Sequence, residues 1–266
     1  MHAIEKILAR GFGLSEVRTG QIANCDVDIA GINDLYLQSI YSFREMGGEK
    51  VAVPDNVVVF LTTEMGAKTA YAYIQPDELT FEHLKKVGAT EYTVYTTDGD
   101  FVYWAEHTYD ISEIEPQLAV PSSVDNVEGI SAHEGTPIDQ AFFGTCTGSR
   151  LDDIALAAHI LKGRKIHRNT RMLIVPASKE VLLQAIERGY MQTLVEANAT
   201  FVTPGCAACL GTHEGLIAKE EVCITTSSRN FPGRMGHTQG RIYWASPAAV
   251  AASALVGKIT DPRKYL

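Results

Sequence analysis

Three cysteines carry the most chemistry in this chain. Cys146 lies in the run GTCTGSR (144–150), and Cys206 and Cys209 form a C-x-x-C unit in the run TPGCAACLG (203–211). Four thiolates around a metal close a structural site, whereas three leave one coordination position for water or substrate. On an iron–sulfur cluster that vacancy would leave one iron able to act as a Lewis acid. The loop around Cys146 is built from Gly144, Thr145, Thr147, Gly148 and Ser149. Small and hydroxylic residues let backbone N–H groups point at a ligand, and such donors stabilise a thiolate. Taken alone, Cys146 would read as a small buried residue at a strand end.

The C-x-x-C spacing lets two sulfurs reach one metal centre or each other. A redox reading needs thioredoxin-like surroundings, which this sequence does not supply. A structural zinc needs four ligands, and His213 is the residue that could complete a set with Cys146. Taken together, the three cysteines favour metal or cluster ligation. Cys25 and Cys223 sit in apolar runs and read as core.

A third segment, SSRNFPGRMGH (227–237), places Arg229 and Arg234 on one loop punctuated by Pro232 and Gly233. Guanidinium forks bind carboxylates bidentately, so two on one loop suit a di- or tricarboxylic acid. Arginines in loops are otherwise solvated surface.

These segments need elements to hold them. Strand-type apolar runs cover residues 57–62, 68–74, 138–143, 171–175, 222–226 and 241–245. Helical patterns cover 77–86, entered through Pro76, and 151–161, 178–188 and 247–256. Residues 91–95 and 101–108 read as two strands joined by an Asp98-Gly99 turn. Residues 114–137 are rich in Pro, Ser, Glu and Gly and read as a linker. The expected organisation is an N-terminal α/β part (1–113), the linker (114–137) and a cluster-binding α/β domain (138–266). Strand–helix alternation implies layered α/β architecture with largely parallel sheets. Cys146 then falls after a strand and before a helix, where such sheets place their chemistry.

The 266 residues are 45% hydrophobic and 21% charged, enough for a sizeable core without disulfides. A net charge of −9 argues against nucleic-acid and anionic-membrane partners. The first residues carry no signal-peptide pattern and no apolar run reaches membrane-spanning length. A reducing, cytoplasmic setting is expected.

The three segments together resemble the aconitase superfamily, nearest to the large subunit of 3-isopropylmalate dehydratase and its homoaconitase relatives. There the first cluster cysteine lies in G-S-C-T-N-G-R, the other two in C-G-P-C-L-G, and the arginine loop reads T-T-N-R-N-F-x-G-R-M-G-H. The runs VPASKEV (175–181), YWASPAAVAASALVGKIT (243–260), EKILAR and VDIAGINDLYLQSI are also similar to family sequence. The resemblance implies an aconitase-type three-layer α/β/α fold, reduced in size by an internal deletion. It implies a 4Fe–4S cluster on Cys146, Cys206 and Cys209, with substrate held by Arg229, Arg234 and Ser228. Glu64, in EMGAK, matches a glutamate near the labile iron and is the candidate proton carrier. The implied function is a hydro-lyase subunit acting on a 2-hydroxy di- or tricarboxylic acid related to 3-isopropylmalate. A separate small swivelling subunit and a homo- or hetero-oligomer are the implied partners.

Family motifs assigned to acid–base work, an Asp-His pair and a G-D-S-H-T run, do not occur here, and Ser228 and Gly148 stand where the family has asparagine. The alternative implied by these differences is a catalytically divergent protein that uses the cluster for binding, sensing or another reaction.

Overall fold

The computed structural model describes residues 3–18, 30–31, 57–58, 76–89, 91–103, 108 and 112–266. The chain divides into two compact units near residue 108. In the first, helix α1 (Ala3–Gly11) precedes a short parallel pair, β1 (Ala30–Gly31) with β2 (Val57–Val58), and helix α2 (Glu78–Lys86) follows. Asp77 caps α2 by accepting from Thr80 N at 2.9 Å, and the Thr80 hydroxyl accepts from Asp77 N at 3.3 Å. The helix expected over 77–86 is therefore present. The strand expected over 57–62 is described only at β2, and that over 68–74 lies outside the described residues. Cys25 and Glu64 also lie outside them.

The hairpin expected around Asp98-Gly99 does not form among the described residues. The turn itself closes, with Phe101 N donating to Asp98 O at 3.1 Å, but residues 91–103 carry no strand. Lys6 donates to Thr96 O at 2.8 Å and to the Asp98 carboxylate at 2.6 Å. Tyr92, Val94 and Val102 are exposed, so these flanks bury little apolar surface that would favour pairing.

The second unit is organised on a seven-stranded sheet among the described residues, in the order β4-β3-β9-β8-β5-β6-β7. Its strands are β3 (Gln117–Ala119), β4 (Val127–Gly129), β5 (Gln140–Phe143), β6 (Arg171–Ile174), β7 (Thr200–Phe201), β8 (Val222–Thr225) and β9 (Arg241–Ala245). Neighbours from β9 through β7 run parallel, while β3 is antiparallel to both β4 and β9. Side chains alternate strictly between two cores. Ala141, Phe143, Met172, Ile174, Val222 and Ile224 join one, and Phe142, Leu173, Val175, Cys223 and Ile242 join the other. Burial of both faces explains why these strands read as continuous apolar runs.

Helices α3 (Leu151–Leu161), α4 (Lys179–Glu187), α5 (Tyr190–Glu196) and α6 (Pro247–Val256) connect and cover the strands. Ser178 caps α4 through Val181 N, and Ser246 caps α6 through Ala249 N with Pro247 at its first position. Helix α6 is buried almost throughout; its alanines allow it to lie close against α3. The unit is an α/β fold with a largely parallel sheet.

Residues 114–137, expected as a linker, instead contain β3 and β4 and a short 3₁₀ turn, Ile130–His133. Two strands of three residues offer too little periodicity to be read through Pro121, Ser122, Ser123 and Gly129. Leu118 and Ala119 are nonetheless buried, and β3 extends the main sheet at β9.

The chain runs β5 to β6 to β7 toward one edge, then returns to the other side of β5 for β8 and β9. The order therefore reverses between β5 and β8. Crevices outside the carboxyl ends of strands at such a reversal are where open α/β sheets bind ligands.

Candidate functional site

The loops that follow β5 and β8 flank this reversal. The first carries Cys146, and the second carries Ser228, Arg229 and Asn230. Thr226 fastens one to the other. Its hydroxyl accepts from Gly144 N at 2.9 Å and donates to Gly144 O at 2.7 Å, while its own N–H donates to Phe142 O at 3.1 Å. A Cβ on Gly148 would lie 2.4 Å from Thr226 Cβ and 2.5 Å from Thr226 O, so only glycine fits there. Ser149 O accepts from Ala177 N at 3.0 Å, tying the far end of the Cys146 loop to the segment after β6. Cys146 is left exposed, with the Thr145 hydroxyl 3.9 Å from its sulfur.

Cys206 and Cys209 follow β7. Cys206 enters a 3₁₀ turn, Ala207–Leu210, in which Cys209 N donates to Cys206 O at 2.9 Å. Gly211 ends the turn in the left-handed region (φ +69°), where a Cβ would be 2.9 Å from Arg234 O. Arg234 completes the contact between the two segments. Its Nε donates to Cys209 O, and its Nη2 lies 4.0 Å from Cys209 Sγ. The guanidinium also sits over the Phe231 ring, 5.5 Å from its centroid. Expected as a carboxylate grip, Arg234 is thus engaged by the C-x-x-C turn.

Arg229 is half-buried and donates from Nη1 to Ser228 O at 2.8 Å and to Ser228 Oγ at 3.2 Å. The Asn230 amide donates to Ala119 O, Val120 O and Ser123 O at 3.3, 2.8 and 3.0 Å. That buried amide anchors the arginine loop to the β3–β4 turn. Thr226 and Asn230 were not singled out from sequence. Their signal was weak, because hydroxyl and amide side chains flanking an arginine read as ordinary loop residues until their depth is known.

The chemistry of the donors fits an iron–sulfur group. Cys146, Cys206 and Cys209 stand outside any disulfide, and all three have exposure to solvent. Cys223 is the contrast: full burial pushes its thiol up to about 12, which marks it as core. Among the described residues no group of three or more His, Cys, Asp and Glu side chains is gathered tightly enough for a single metal ion. A cubane places each thiolate on a different iron, so it asks for a wider spread than one ion does. The buried side-chain polar atoms without a hydrogen-bond partner among the described residues are Ser149 Oγ, Ser227 Oγ and Asn230 Oδ1, all on the loops after β5 and β8.

Residues 54–257 match the model of the Aconitase family (aconitate hydratase). The chain belongs to the aconitase family. It is 50% identical over 204 residues to the probable methanogen homoaconitase large subunit of Methanosarcina mazei, covering 77% of this chain and 51% of that protein. To 3-isopropylmalate dehydratase large subunit 1 of Methanopyrus kandleri it is 47% identical over 206 residues, covering 77% and 49%. To the 3-isopropylmalate dehydratase large subunit 2 of Archaeoglobus fulgidus it is 40% identical over 247 residues, covering 91% and 59%. The chain therefore spans about half the length of the curated relatives it matches. No helix among the described residues is long and apolar enough to cross a membrane.

Proposed function

We propose that this aconitase-family chain is the large-subunit component of a 4Fe–4S hydro-lyase acting on a 2-hydroxy di- or tricarboxylic acid related to 3-isopropylmalate. The observation that carries this reading is the fastening of the Cys146 loop to the arginine loop by Thr226 at the sheet's reversal point. Cys146, Cys206 and Cys209 would hold the cluster. When bound, it supplies an open iron that polarises a substrate hydroxyl.

The remaining work falls to the chain. Arg229 binds a carboxylate and fixes the acid's orientation. Loss of water breaks a C–O bond and a C–H bond on the neighbouring carbon, so a base must take the released proton. Glu64 is assigned that role. Arg234 holds the C-x-x-C turn in register with the arginine loop. A small swivelling subunit would close the pocket and exclude water, and the assembly is an oligomer.

The test is anaerobic reconstitution with iron and sulfide. A brown protein is expected, with Cys146→Ser, Cys206→Ser and Cys209→Ser each bleaching it. Turnover of isopropylmalate, citraconate or homocitrate-type acids is expected once a small subunit is added. A colourless anaerobic protein holding zinc would overturn the reading. The absence of the Asp-His pair and the G-D-S-H-T run from this sequence favours a second reading, a divergent protein that uses the cluster for binding, sensing or a different reaction. Full cluster loading without dehydration, with or without a small subunit, would select it.

A further inference from the structure

Helix α4 (Lys179–Glu187) turns Val181 and Ala185 toward the core of the second unit and lies against α3 and α5. Its other side faces outward and is apolar at the centre: Leu183 is 66% exposed and Ile186 52%. A single exposed aliphatic is ordinary, but these two are three residues apart, so they are neighbours on one helical face. Contiguous exposed hydrocarbon of this kind marks a surface that another surface covers.

The charges on that face are ordered around Leu183. Lys179, Leu183 and Glu187 are each four residues apart and form one stripe along the helix, and all three are exposed. Both charged ends oppose their own helix. Lys179 stands in the first turn, at the positive end of the macrodipole, and Glu187 in the last turn, at the negative end. A second α4 laid antiparallel reverses the sign of both effects. Lys179 then meets Glu187 of the second copy at that helix's negative end, and Glu187 meets its Lys179 at the positive end. Positions 179 and 187 stand equally far from 183, so both pairs form in one register with Leu183 against Leu183. Such a stripe is its own complement under a two-fold axis. Glu180, the other acid of the first turn, accepts from Gln184 Nε2 at 3.1 Å within its own helix.

We propose that α4 is a docking surface for a second copy of this chain, paired antiparallel about a two-fold axis at Leu183. This docking gives the oligomer of the preceding section its contact and is otherwise independent of the hydro-lyase reading. A nine-residue helix is about 13 Å long, so two of them bury less than the ~1,200 Å² at the low end of stable interfaces. The dimer is therefore reversible, with a Kd on the order of tens of micromolar.

The test is sedimentation velocity on the full chain, anaerobically reconstituted, at about 1 to 300 μM, a range that brackets such a Kd. A concentration-dependent shift from monomer to dimer is expected. Leu183→Glu is expected to weaken it by at least about thirtyfold, because it removes both leucines from the axis and sets two like charges there. Leu183 is exposed, so this variant should melt with the parent. Lys179→Glu and Glu187→Lys should each weaken the dimer by about fivefold, since each creates two like-charge contacts. The double variant Lys179→Glu/Glu187→Lys should recover the parent's affinity, and it tests the register even if the Leu183 variant fails to fold. A chain that stays monomeric throughout, a dimer indifferent to Leu183→Glu, or a double variant no better than either single would overturn the inference. So would loss of small-subunit binding by Leu183→Glu in a monomeric chain, which would assign the face to that partner. Cluster loading and turnover are read separately, so none of these outcomes bears on the hydro-lyase chemistry.

Discussion

The hydroxyl of Thr226 engages both sides of one residue, accepting from Gly144 N at 2.9 Å and donating to Gly144 O at 2.7 Å. Two adjacent strands of the sheet are thereby joined at the point where each gives way to its functional loop. The contact is buried, so water cannot replace it. Register between the cysteine loop and the arginine loop follows from this one side chain more than from the loops themselves.

Thr226→Val keeps the shape and removes the hydroxyl. A buried N–H and a buried C=O then lose their partner, at a cost of about 2–4 kcal/mol. The variant is expected to melt at lower temperature and take up less iron and sulfide on reconstitution. Thr226→Ser, which retains the hydroxyl, is expected to restore most of both. Equal uptake by the valine variant would show that the loops hold their register without this contact.

Gly148→Ala tests the same junction from the opposite side. The added methyl would stand 2.5 Å from Thr226 O and 2.4 Å from Thr226 Cβ. Both contacts are with atoms close to the backbone, so relief requires the two loops to part. Overpacking of this kind costs about 1–3 kcal/mol. Combined with Thr226→Ser, the penalty should shrink only slightly, because the main-chain oxygen remains. A double-mutant cycle on thermal unfolding measures the coupling.

The two arginines are expected to part company in function. Arg234 spends its Nε on Cys209 O and brings Nη2 to 4.0 Å from Cys209 Sγ, whereas Arg229 lies along Ser228. Arg234→Gln should therefore accelerate bleaching of the reconstituted protein in air, read as loss of visible absorbance, by about tenfold, since a charge-assisted donor is worth roughly 1.5–3 kcal/mol. Arg229→Gln should leave bleaching unchanged and weaken binding of a dicarboxylate. Matching effects of the two substitutions on both readouts would refute the division.

Much of the second unit was legible because its strands are buried on both faces. Runs such as QAFF and VCIT have no polar member facing water; Pro137 and Gly144 bracket the first, and Glu221 and Thr226 bracket the second. The functional loops were legible because cysteine and arginine are costly residue types to place there without use. Illegible were features set by distance in space. Nothing in the composition of 114–137 announces that Ala119 and Val120, at the end of β3 and two strands over from β8, offer carbonyls to Asn230. The two-residue strand β7 exists only because Leu173 and Ile174 present an edge to it. Likewise, a guanidinium's partner cannot be read from its loop: carboxylate and cysteine carbonyl are equally good acceptors, and the choice for Arg234 depends on how the C-x-x-C turn packs.

The last prediction concerns the amino ends of the strands, away from the site. Arg171 at the start of β6 grips Glu221, just before β8, with both guanidinium arms at 2.8 and 2.5 Å, and the Glu221 carboxylate also accepts from Ala218 N at 2.7 Å. The Arg171 hydrogen bonds, followed by that of Ala218, hold the Glu221 carboxyl below its ordinary value of 4.5. A carboxyl lowered on folding adds stability that is fully present above the unfolded value and is lost as pH falls through the folded one. Both side chains are partly exposed, so the contribution is limited to about 1 kcal/mol. The protein should lose this increment as pH falls from above 4.5 into the range where the folded carboxyl takes up its proton. Glu221→Gln should be destabilised by a similar amount at neutral pH, and the difference between the two proteins should vanish in acid. Thermal melts across the acid range would decide it: a gap between variant and parent that persists below the folded value would mean that the gap does not come from the carboxylate's charge.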